Sequence, residues 1–195
     1  MNLLNKKSLI TLVIILILII SGFIVMTKMK KQESTQVLIK TTEGNITIEL
    51  YSDKAPITVE NFLRYVDAKS YDGVIFHRVI KDFMIQTGGF KEDGSQITTF
   101  SQIKLESNNG LKNERGTLAM ARTPLPNSAT SQFFINVGNN DFLNYGVRDE
   151  GYAVFAKVII GMEVIDKIQA MQTTTKFGMS DWPVTDVKII SVERV

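Results

Sequence analysis

Few side chains in this sequence could serve as nucleophiles, acid–base catalysts or metal ligands. The 195 residues include no cysteine and a single histidine, His77. The lack of cysteine excludes a thiolate nucleophile, a disulfide scaffold, an iron–sulfur cluster and a cysteine-based zinc site, and one histidine cannot form a histidine-only metal site. His77 lies in an apolar run beside Arg78, where a lone histidine is more typical of a hydrogen-bonded structural residue than of a catalytic base.

The short motifs of phosphate binding and acyl transfer are also missing. The chain has no Gly-x-x-x-x-Gly-Lys loop, no Gly-x-Gly-x-x-Gly turn and no Gly-x-Ser-x-Gly elbow. Nucleotide binding by glycine-rich loops and hydrolysis by a serine elbow are therefore not expected. The groups that remain are an arginine and a set of uncharged polar, apolar and aromatic side chains.

That arginine, Arg78, lies in a run that also contains Phe83, Met84 and Gln86. Taken singly, the phenylalanines and the methionine are more typical of a protein core than of a binding site, so their significance depends on the combination. Stretches of similar composition follow at Met120–Arg122, Ser131–Asn136, Asp141–Asn144 and Gly151–Phe155.

Short strands are predicted around these residues. The β-branched run 37–41 and the alternating run 45–51 flank Glu43-Gly44, which suits a tight turn, and they predict a hairpin with one buried face. The pattern favours a closed barrel or a sandwich in which the first and last strands pair. Further apolar runs predict strands at 74–79, 83–86, 116–121, 133–137, 152–159 and 187–195.

Two short amphipathic helices are predicted among the strands. Apolar residues recur at i, i+3, i+4 and i+7 over residues 58–67, and Pro56 precedes them at a position where a helix tolerates proline. Apolar residues also recur at intervals of three over residues 162–171. The domain is therefore expected to be mainly β with two helices.

The charge of the chain is divided unevenly. Five of the 22 basic residues and none of the 20 acidic residues lie in the first 31 positions, so the remainder has 17 basic and 20 acidic residues and a net charge of −3. A domain with this balance lacks the positive surface that recognition of nucleic-acid phosphates requires. No nucleic-acid partner is expected.

The N-terminal segment has the properties of a membrane-directed helix. Residues 8–27 carry no charge and lie between Lys6-Lys7 and Lys28. As a helix they would reach about 30 Å, the thickness of a bilayer's hydrocarbon core. No small-residue cleavage site follows, so an uncleaved anchor is favoured over a cleaved signal peptide, with a cleaved and secreted form as the alternative.

Three parts are therefore predicted: a membrane anchor over residues 1–27, a polar linker over 28–36 and a folded domain over 37–195. The lysine count on the two sides of the apolar run slightly favours a domain inside the cell, whereas a short N-terminal tail usually stays inside. We expect an inner-membrane protein with its domain outside the cytoplasm, on the periplasmic side.

Taken together, these motifs resemble the cyclophilin-type peptidyl-prolyl cis-trans isomerases. The separated stretches occur in the order and spacing of that family, the helix start Ala55–Phe62 is similar too, and Asn109–Met120 resembles the bacterial branch. The resemblance covers essentially all of residues 37–195. It implies a closed eight-stranded antiparallel β-barrel with a helix at each end, a packed interior and an active-site groove on the outer surface.

The resemblance also implies the site residues. Arg78 matches the family's catalytic arginine, and Phe83 and Gln86 are assigned to catalysis with it. Many eukaryotic members have Trp at the position of Phe142, His at Tyr152 and Asn at Arg122, which puts tight binding of ciclosporin in doubt more than activity. The positions that match substrate contacts are Met84, Ala121, Arg122, Gln132, Phe134, Phe142, Leu143 and Tyr152.

The implied reaction agrees with the scarcity of catalytic groups. Rotation about an X–Pro bond makes and breaks no covalent bond, so no metal, cofactor or nucleophile is implied. The implied partners are proline-containing polypeptides and unfolded client proteins, and the chain is expected to be a monomer.

Two other functions stay open. The same groove could serve a proline-peptide binding module or chaperone in which catalysis is incidental. A barrel that carries a small apolar ligand is disfavoured, because Ile48, Leu50, Phe133 and Val154 are expected to fill the interior.

Overall fold

The computed structural model describes residues 36–195 and the single residue Ile15. The predicted anchor over 1–27 and the linker up to residue 35 lie outside the continuous described range. Within the described residues, no helix has the length and apolar character needed to cross a membrane.

Short strands dominate residues 36–195, as predicted. The helices are Pro56–Asp67 (α1) and Met162–Gln169 (α2), and a 3-10 helix covers Asp141–Leu143. The strands are Gln36–Thr41 (β1), Gly44–Leu50 (β2), Arg78–Ile80 (β3), Met84–Thr87 (β4), Thr117–Met120 (β5), Phe133–Asn136 (β6), Val154–Ile160 (β7), Thr173–Lys176 (β8), Met179–Pro183 (β9) and Ile189–Arg194 (β10).

Eight of these strands form one curled antiparallel sheet in the order β10-β1-β2-β7-β5-β6-β4-β3. The predicted pairing of the first and last strands is confirmed, since β1 pairs with β10. The two end strands of this order, β3 and β10, do not pair with each other, so the sheet is a half-barrel. Between the edges, the Phe76 N–H donates to the Val187 carbonyl at 2.9 Å and the Ile189 N–H to the Val74 carbonyl at 2.7 Å.

The remaining strands, β8 and β9, form a separate two-stranded hairpin. The sequence patterns did not predict it, because Thr173–Lys176 is a polar run that is mostly exposed and lacks the alternation of a half-buried strand. The hairpin lies beside the edge strand β3.

The main core lies on one face of the curled sheet and includes one side of each helix. In α1, Val59, Phe62 and Val66 are buried at helical spacing. The Phe62 ring contacts three other buried rings, with centroid distances of 5.6 Å to Tyr71, 5.5 Å to Phe133 and 5.2 Å to Phe155. Side chains therefore fill the interior. A carrier of a small apolar ligand would need an open interior, so this packing argues against that hypothesis.

Helix α1 begins at Pro56, two residues before the predicted start, because a distant side chain completes its first turn. The carboxylate of Glu106 accepts the backbone N–H groups of Ile57 at 3.2 Å and Thr58 at 2.8 Å. The first N–H groups of a helix have no partner within the helix, and a carboxylate there is favoured by the helix dipole.

Because Phe62 joins α1 to two strands through fully buried rings, we expect Phe62→Ala to lower the free energy of unfolding by about 3–5 kcal/mol. Chemical denaturation would measure this loss. The control is Ile190→Ala on β10, which removes a side chain from a residue that is 57% exposed and should change stability by less than about 0.5 kcal/mol. Equal losses in the two variants would contradict the assigned core.

Candidate active site

The register of three neighbouring strands places Arg78, Gln86 and Phe134 in one row. Arg78 of β3 lies opposite Gln86 of β4, and Gln86 lies opposite Phe134 of β6. Side chains alternate between the faces of a sheet. These three residues therefore share a face.

The next row along the same strands faces the other way. Val79 pairs with Ile85, and Ile85 pairs with Ile135. All three are at least 97% buried and belong to the main core. The main core therefore anchors the same strands that carry the candidate site on their opposite face.

A second, smaller apolar cluster covers that opposite face. Its buried members are Met84, Ala119, Phe134, Leu143 and Val154. A cavity of about 220 Å³ opens in it, and nine of the eleven predicted site residues line this cavity. They are Arg78, Phe83, Met84, Gln86, Ala121, Arg122, Phe134, Leu143 and Tyr152.

The two remaining predicted residues lie beside the cavity. Gln132 lines an adjacent cavity of about 210 Å³, and its Oε1 accepts a hydrogen bond from Gln86 Nε2 at 2.8 Å. Phe142 is 44% exposed and stacks on Phe83 with ring centroids 5.5 Å apart. Both residues therefore contact a lining side chain without lining the first cavity.

A network of buried asparagines, which sequence reasoning missed, holds two walls of the cavity in place. Asn140 Nδ2 donates to the Phe83 carbonyl at 2.8 Å and to Asn136 Oδ1 at 2.7 Å. Asn113 Nδ2 donates to the Leu143 carbonyl at 3.1 Å. These asparagines are 96–100% buried, and buried polar groups that are fully hydrogen-bonded specify one arrangement of the chain.

The guanidinium of Arg122 is engaged by the chain itself. Its side chain is only 4% exposed, and it donates to the Gly151 carbonyl at 2.9 Å and to Asp149 Oδ1 at 2.8 Å. It also lies over the Tyr152 ring, 4.7 Å from the centroid, and that ring packs edge-on against Phe134. Arg122 therefore packs against Tyr152 and helps to hold that wall of the cavity in place.

Electrostatics at this rim follow from the same contacts. The pKa of the Asp149 carboxyl is held below its usual value because it accepts the Gly151 N–H and lies beside Arg122 and Arg148. Asp149 is therefore charged at neutral pH, and it offsets the positive charge that Arg122 brings close to the cavity.

Arg78 differs from Arg122 in being half exposed. Its Nε lies 3.7 Å from Asp181 Oδ2 on the β8–β9 hairpin. Sequence reasoning missed Asp181, because the hairpin that carries it has no recognisable strand pattern.

His77, the neighbour of Arg78, faces away from the cavity. It is 4% exposed and packs against Phe90, with ring centroids 4.7 Å apart. Its Nδ1 has no hydrogen-bond partner among residues 36–195. Burial lowers the pKa of His77 to about 4, so its ring is neutral at physiological pH.

A larger cavity, of about 770 Å³, lies against α1 and contains none of the predicted site residues. Two of its charged groups, Arg194 and Asp67, are paired with each other at 2.6 Å. We place the candidate active site in the smaller cavity, since nine predicted site residues, the half-exposed Arg78 among them, line it.

The fold and the site together define a mainly β domain with a surface cavity in which an arginine lies beside apolar and aromatic side chains. The chain belongs to the cyclophilin-type peptidyl-prolyl cis-trans isomerases, because the family model described as "Cyclophilin type peptidyl-prolyl cis-trans isomerase/CLD" matches residues 36–194. Members of this family accelerate rotation about X–Pro bonds, and this chain is a peptidyl-prolyl isomerase.

Named relatives agree with this membership. The chain is 57% identical to a peptidyl-prolyl cis-trans isomerase of Acinetobacter baylyi over 82% of this chain and 85% of the relative. It is 53% identical to peptidyl-prolyl cis-trans isomerase B of Escherichia coli over 80% of this chain and 97% of the relative. The predicted similarity to the bacterial branch is confirmed.

A solved structure shows the same fold. The crystal structure of a cyclophilin-type isomerase from Cryptosporidium parvum superposes with a TM-score of 0.70 at 28% identity, covering 83% of this chain and 98% of that one. A second crystal structure of that protein, in the presence of the dipeptide Ala-Pro, has a TM-score of 0.69 and covers 82% of this chain and 98% of that one.

The buried neutral His77 makes a prediction about stability and pH. Its folded pKa of about 4 lies below the ordinary value of 6.5, so the unfolded chain binds the proton more readily. Stability should fall as the pH drops from about 6.5 to about 4, by about 3 kcal/mol in total.

Denaturation midpoints measured between pH 7 and pH 4 would test this, with His77→Phe as the matched variant that cannot titrate. Several carboxyl groups with lowered pKa lose their contribution only from about pH 5 downwards, and they do so in both proteins, so the difference between the two slopes isolates His77; these groups are Asp67, Asp93, Asp149, Asp166 and Glu193. If the variant shows the same slope as the parent chain, His77 is not the group responsible.

Proposed function

We propose that this chain catalyses X–Pro isomerisation by using the Arg78 guanidinium to stabilise the twisted imide. The observation that carries the proposal is the row of Arg78, Gln86 and Phe134, which places one half-exposed cation in a cavity that is also lined by six apolar and aromatic residues. The reaction makes and breaks no covalent bond, so a cation and a binding cavity are the kinds of group that it requires.

The barrier that must be lowered comes from amide resonance and amounts to about 18–20 kcal/mol. When the bond is half rotated, the imide nitrogen regains its lone pair and becomes a better hydrogen-bond acceptor. A guanidinium directed at that nitrogen binds the twisted state more tightly than either planar state, which is what lowers a barrier. Each 1.4 kcal/mol of this difference gives about a tenfold increase in rate.

The apolar lining would hold the proline ring while the acyl side turns. Phe83, Met84, Phe134 and Leu143 supply the walls. Aromatic side chains bury a large area with little loss of side-chain entropy, and methionine adapts to an irregular ring. The asparagine network behind Phe83 and Leu143 keeps this socket open in the absence of substrate.

Polar groups beside the socket would hold the peptide backbone. Gln86 uses one N–H to donate to Gln132, and its second N–H can donate to the carbonyl that rotates. Ala121 and Arg122 line both cavities, so substrate residues that flank the proline can extend along them. Arg122 contributes through its backbone and through Tyr152, since its guanidinium already has partners.

Two finer features of the fold belong to the same proposal. The backbone hydrogen bonds of Phe76 and Ile189 across the two sheet edges support a functionally closed barrel. The self-contained core also supports a monomer that acts on proline-containing polypeptides and unfolded client proteins. The Cryptosporidium parvum relative studied with Ala-Pro supports the same class of substrate.

We further propose that residues 8–27 anchor the protein in the inner membrane and that residues 37–195 act outside the cytoplasm on envelope proteins. The support is the uncharged 20-residue run and the lack of a small-residue cleavage site after it.

Arg78→Ala should lower kcat/KM at least about 100-fold, because it removes the donor to the developing lone pair. Arg78→Lys should also lose most activity, since it keeps the charge without the planar fork. NMR exchange or a protease-coupled assay on an Ala-Pro-Phe peptide would measure both. Arg194→Ala is the control, because Arg194 pairs with Asp67 and lines neither cavity of the candidate site. Full activity in Arg78→Ala would rule out the proposed mechanism.

The same variant separates catalysis from simple peptide binding. If the function is isomerisation, Arg78→Ala will not restore growth or folding defects of a deletion strain, even when it is expressed and folded. Full restoration by Arg78→Ala would favour the binding-module hypothesis.

The membrane proposal predicts that protease added to intact spheroplasts digests the domain, because the domain lies outside the inner membrane. N-terminal sequencing of the purified protein should show that residues 8–27 are retained. A cytoplasmic protein in the same sample is the control for leakage. A domain that is protected until lysis would reverse the topology, and a new N-terminus after residue 27 would show a cleaved signal.

A further inference from the structure

The side chain of Arg78 needs a restraint that β3 alone does not provide. β3 has three residues and lies at the edge of the sheet, and the Arg78 side chain is 42% exposed. A free arginine side chain loses rotamer entropy when it is held in one geometry. An arginine that acts on a transition state works best when it is held there beforehand.

Among the described residues, Arg78 has one ion-pair partner, Asp181. Asp181 Oδ2 lies 3.7 Å from Arg78 Nε. Approach from the Nε edge leaves the two Nη groups free, and Arg78 also lines the cavity. The contact is therefore compatible with a guanidinium that presents its Nη groups to substrate.

A β-bulge delivers Asp181 to this position. Thr174 pairs with Trp182 and Lys176 with Met179, so the single residue between them on β8 faces two residues, Ser180 and Asp181, on β9. Asp181 has φ +61°, a left-handed conformation that non-glycine residues adopt at some energetic cost. Bulges next to active sites commonly redirect a side chain.

The residue after Asp181 fixes the hairpin in place. Trp182 is fully buried and packs against Phe90 and His77. Its Nε1 donates to Asp186 Oδ1 at 2.8 Å, and Lys176 Nζ donates to the same oxygen at 3.1 Å. The backbone at Asp181 is therefore anchored by a buried side chain one position away.

We propose that Asp181 is a positioning residue that holds the Arg78 guanidinium by its Nε edge for catalysis. The inference rests on the proposed role of Arg78. A 3.7 Å contact between two partly exposed groups contributes little to folding stability. The contact therefore does not offset the energetic cost of the left-handed backbone at Asp181. The contact restrains the guanidinium before substrate binds.

The test variant is Asp181→Asn. Asparagine tolerates the left-handed conformation as aspartate does, so the bulge is kept while the charge is removed. We expect kcat to fall about tenfold with little change in KM, because the restrained guanidinium acts on the transition state, and the thermal midpoint should stay the same. The control is Asp53→Asn, which removes an exposed carboxylate that lines neither cavity of the candidate site. This variant should retain full activity.

Two further readouts separate positioning from a structural role. The NMR order parameter of the Arg78 Nε–H should fall in Asp181→Asn, since the side chain is released. In an Arg78→Ala background, Asp181→Asn should cause no further loss, because the aspartate acts through the arginine.

Unchanged or increased kcat in Asp181→Asn overturns the proposal, and so does an equal loss in the Arg78→Ala background. Full activity of Arg78→Ala would instead overturn the proposed mechanism itself. A rigid Arg78 Nε–H in Asp181→Asn overturns the restraint whatever the activity, so the two failures can be told apart.

Discussion

The alternation of side chains across β3, β4 and β6 is the constraint on which the rest of the structure depends. Val79, Ile85 and Ile135 pack into the main core, and this packing fixes the register of the three strands. Because successive residues point to opposite faces, the same register aligns Arg78, Gln86 and Phe134 on the outside. Slipping one strand by a single residue would exchange the two rows.

This arrangement suits a reaction that depends on shape and charge alone. A barrier that arises from resonance can be lowered by binding the twisted state more tightly than the planar ones. In the proposed mechanism, an apolar socket and one positioned cation perform that task. Such a mechanism needs neither a cysteine, which the sequence lacks, nor an accessible histidine, since the single histidine, His77, is buried.

Rigidity around the cavity comes from contacts that the protein makes with itself. Buried asparagines hold the backbone of Phe83 and Leu143, and Arg122 supports the Tyr152 wall. On the other side, the Trp182-anchored hairpin brings Asp181 to Arg78. Each of these contacts holds a group of the cavity in one conformation before a peptide binds. Binding then costs less conformational entropy.

Local patterns in the sequence determined much of the fold, because periodicity and turn residues act over a few positions. The β1–β2 hairpin, α1 and α2 follow from them to within two residues or so. Eleven candidate site residues were predicted from motif resemblance, and nine of them line one cavity. Tertiary structure alone decided three things: the start of α1 at Pro56, where the Glu106 carboxylate accepts its first N–H groups, the engagement of Arg122 by Asp149, and the ion pair between Asp181 and Arg78. Each depends on contacts between residues at least 27 positions apart, which no local pattern encodes.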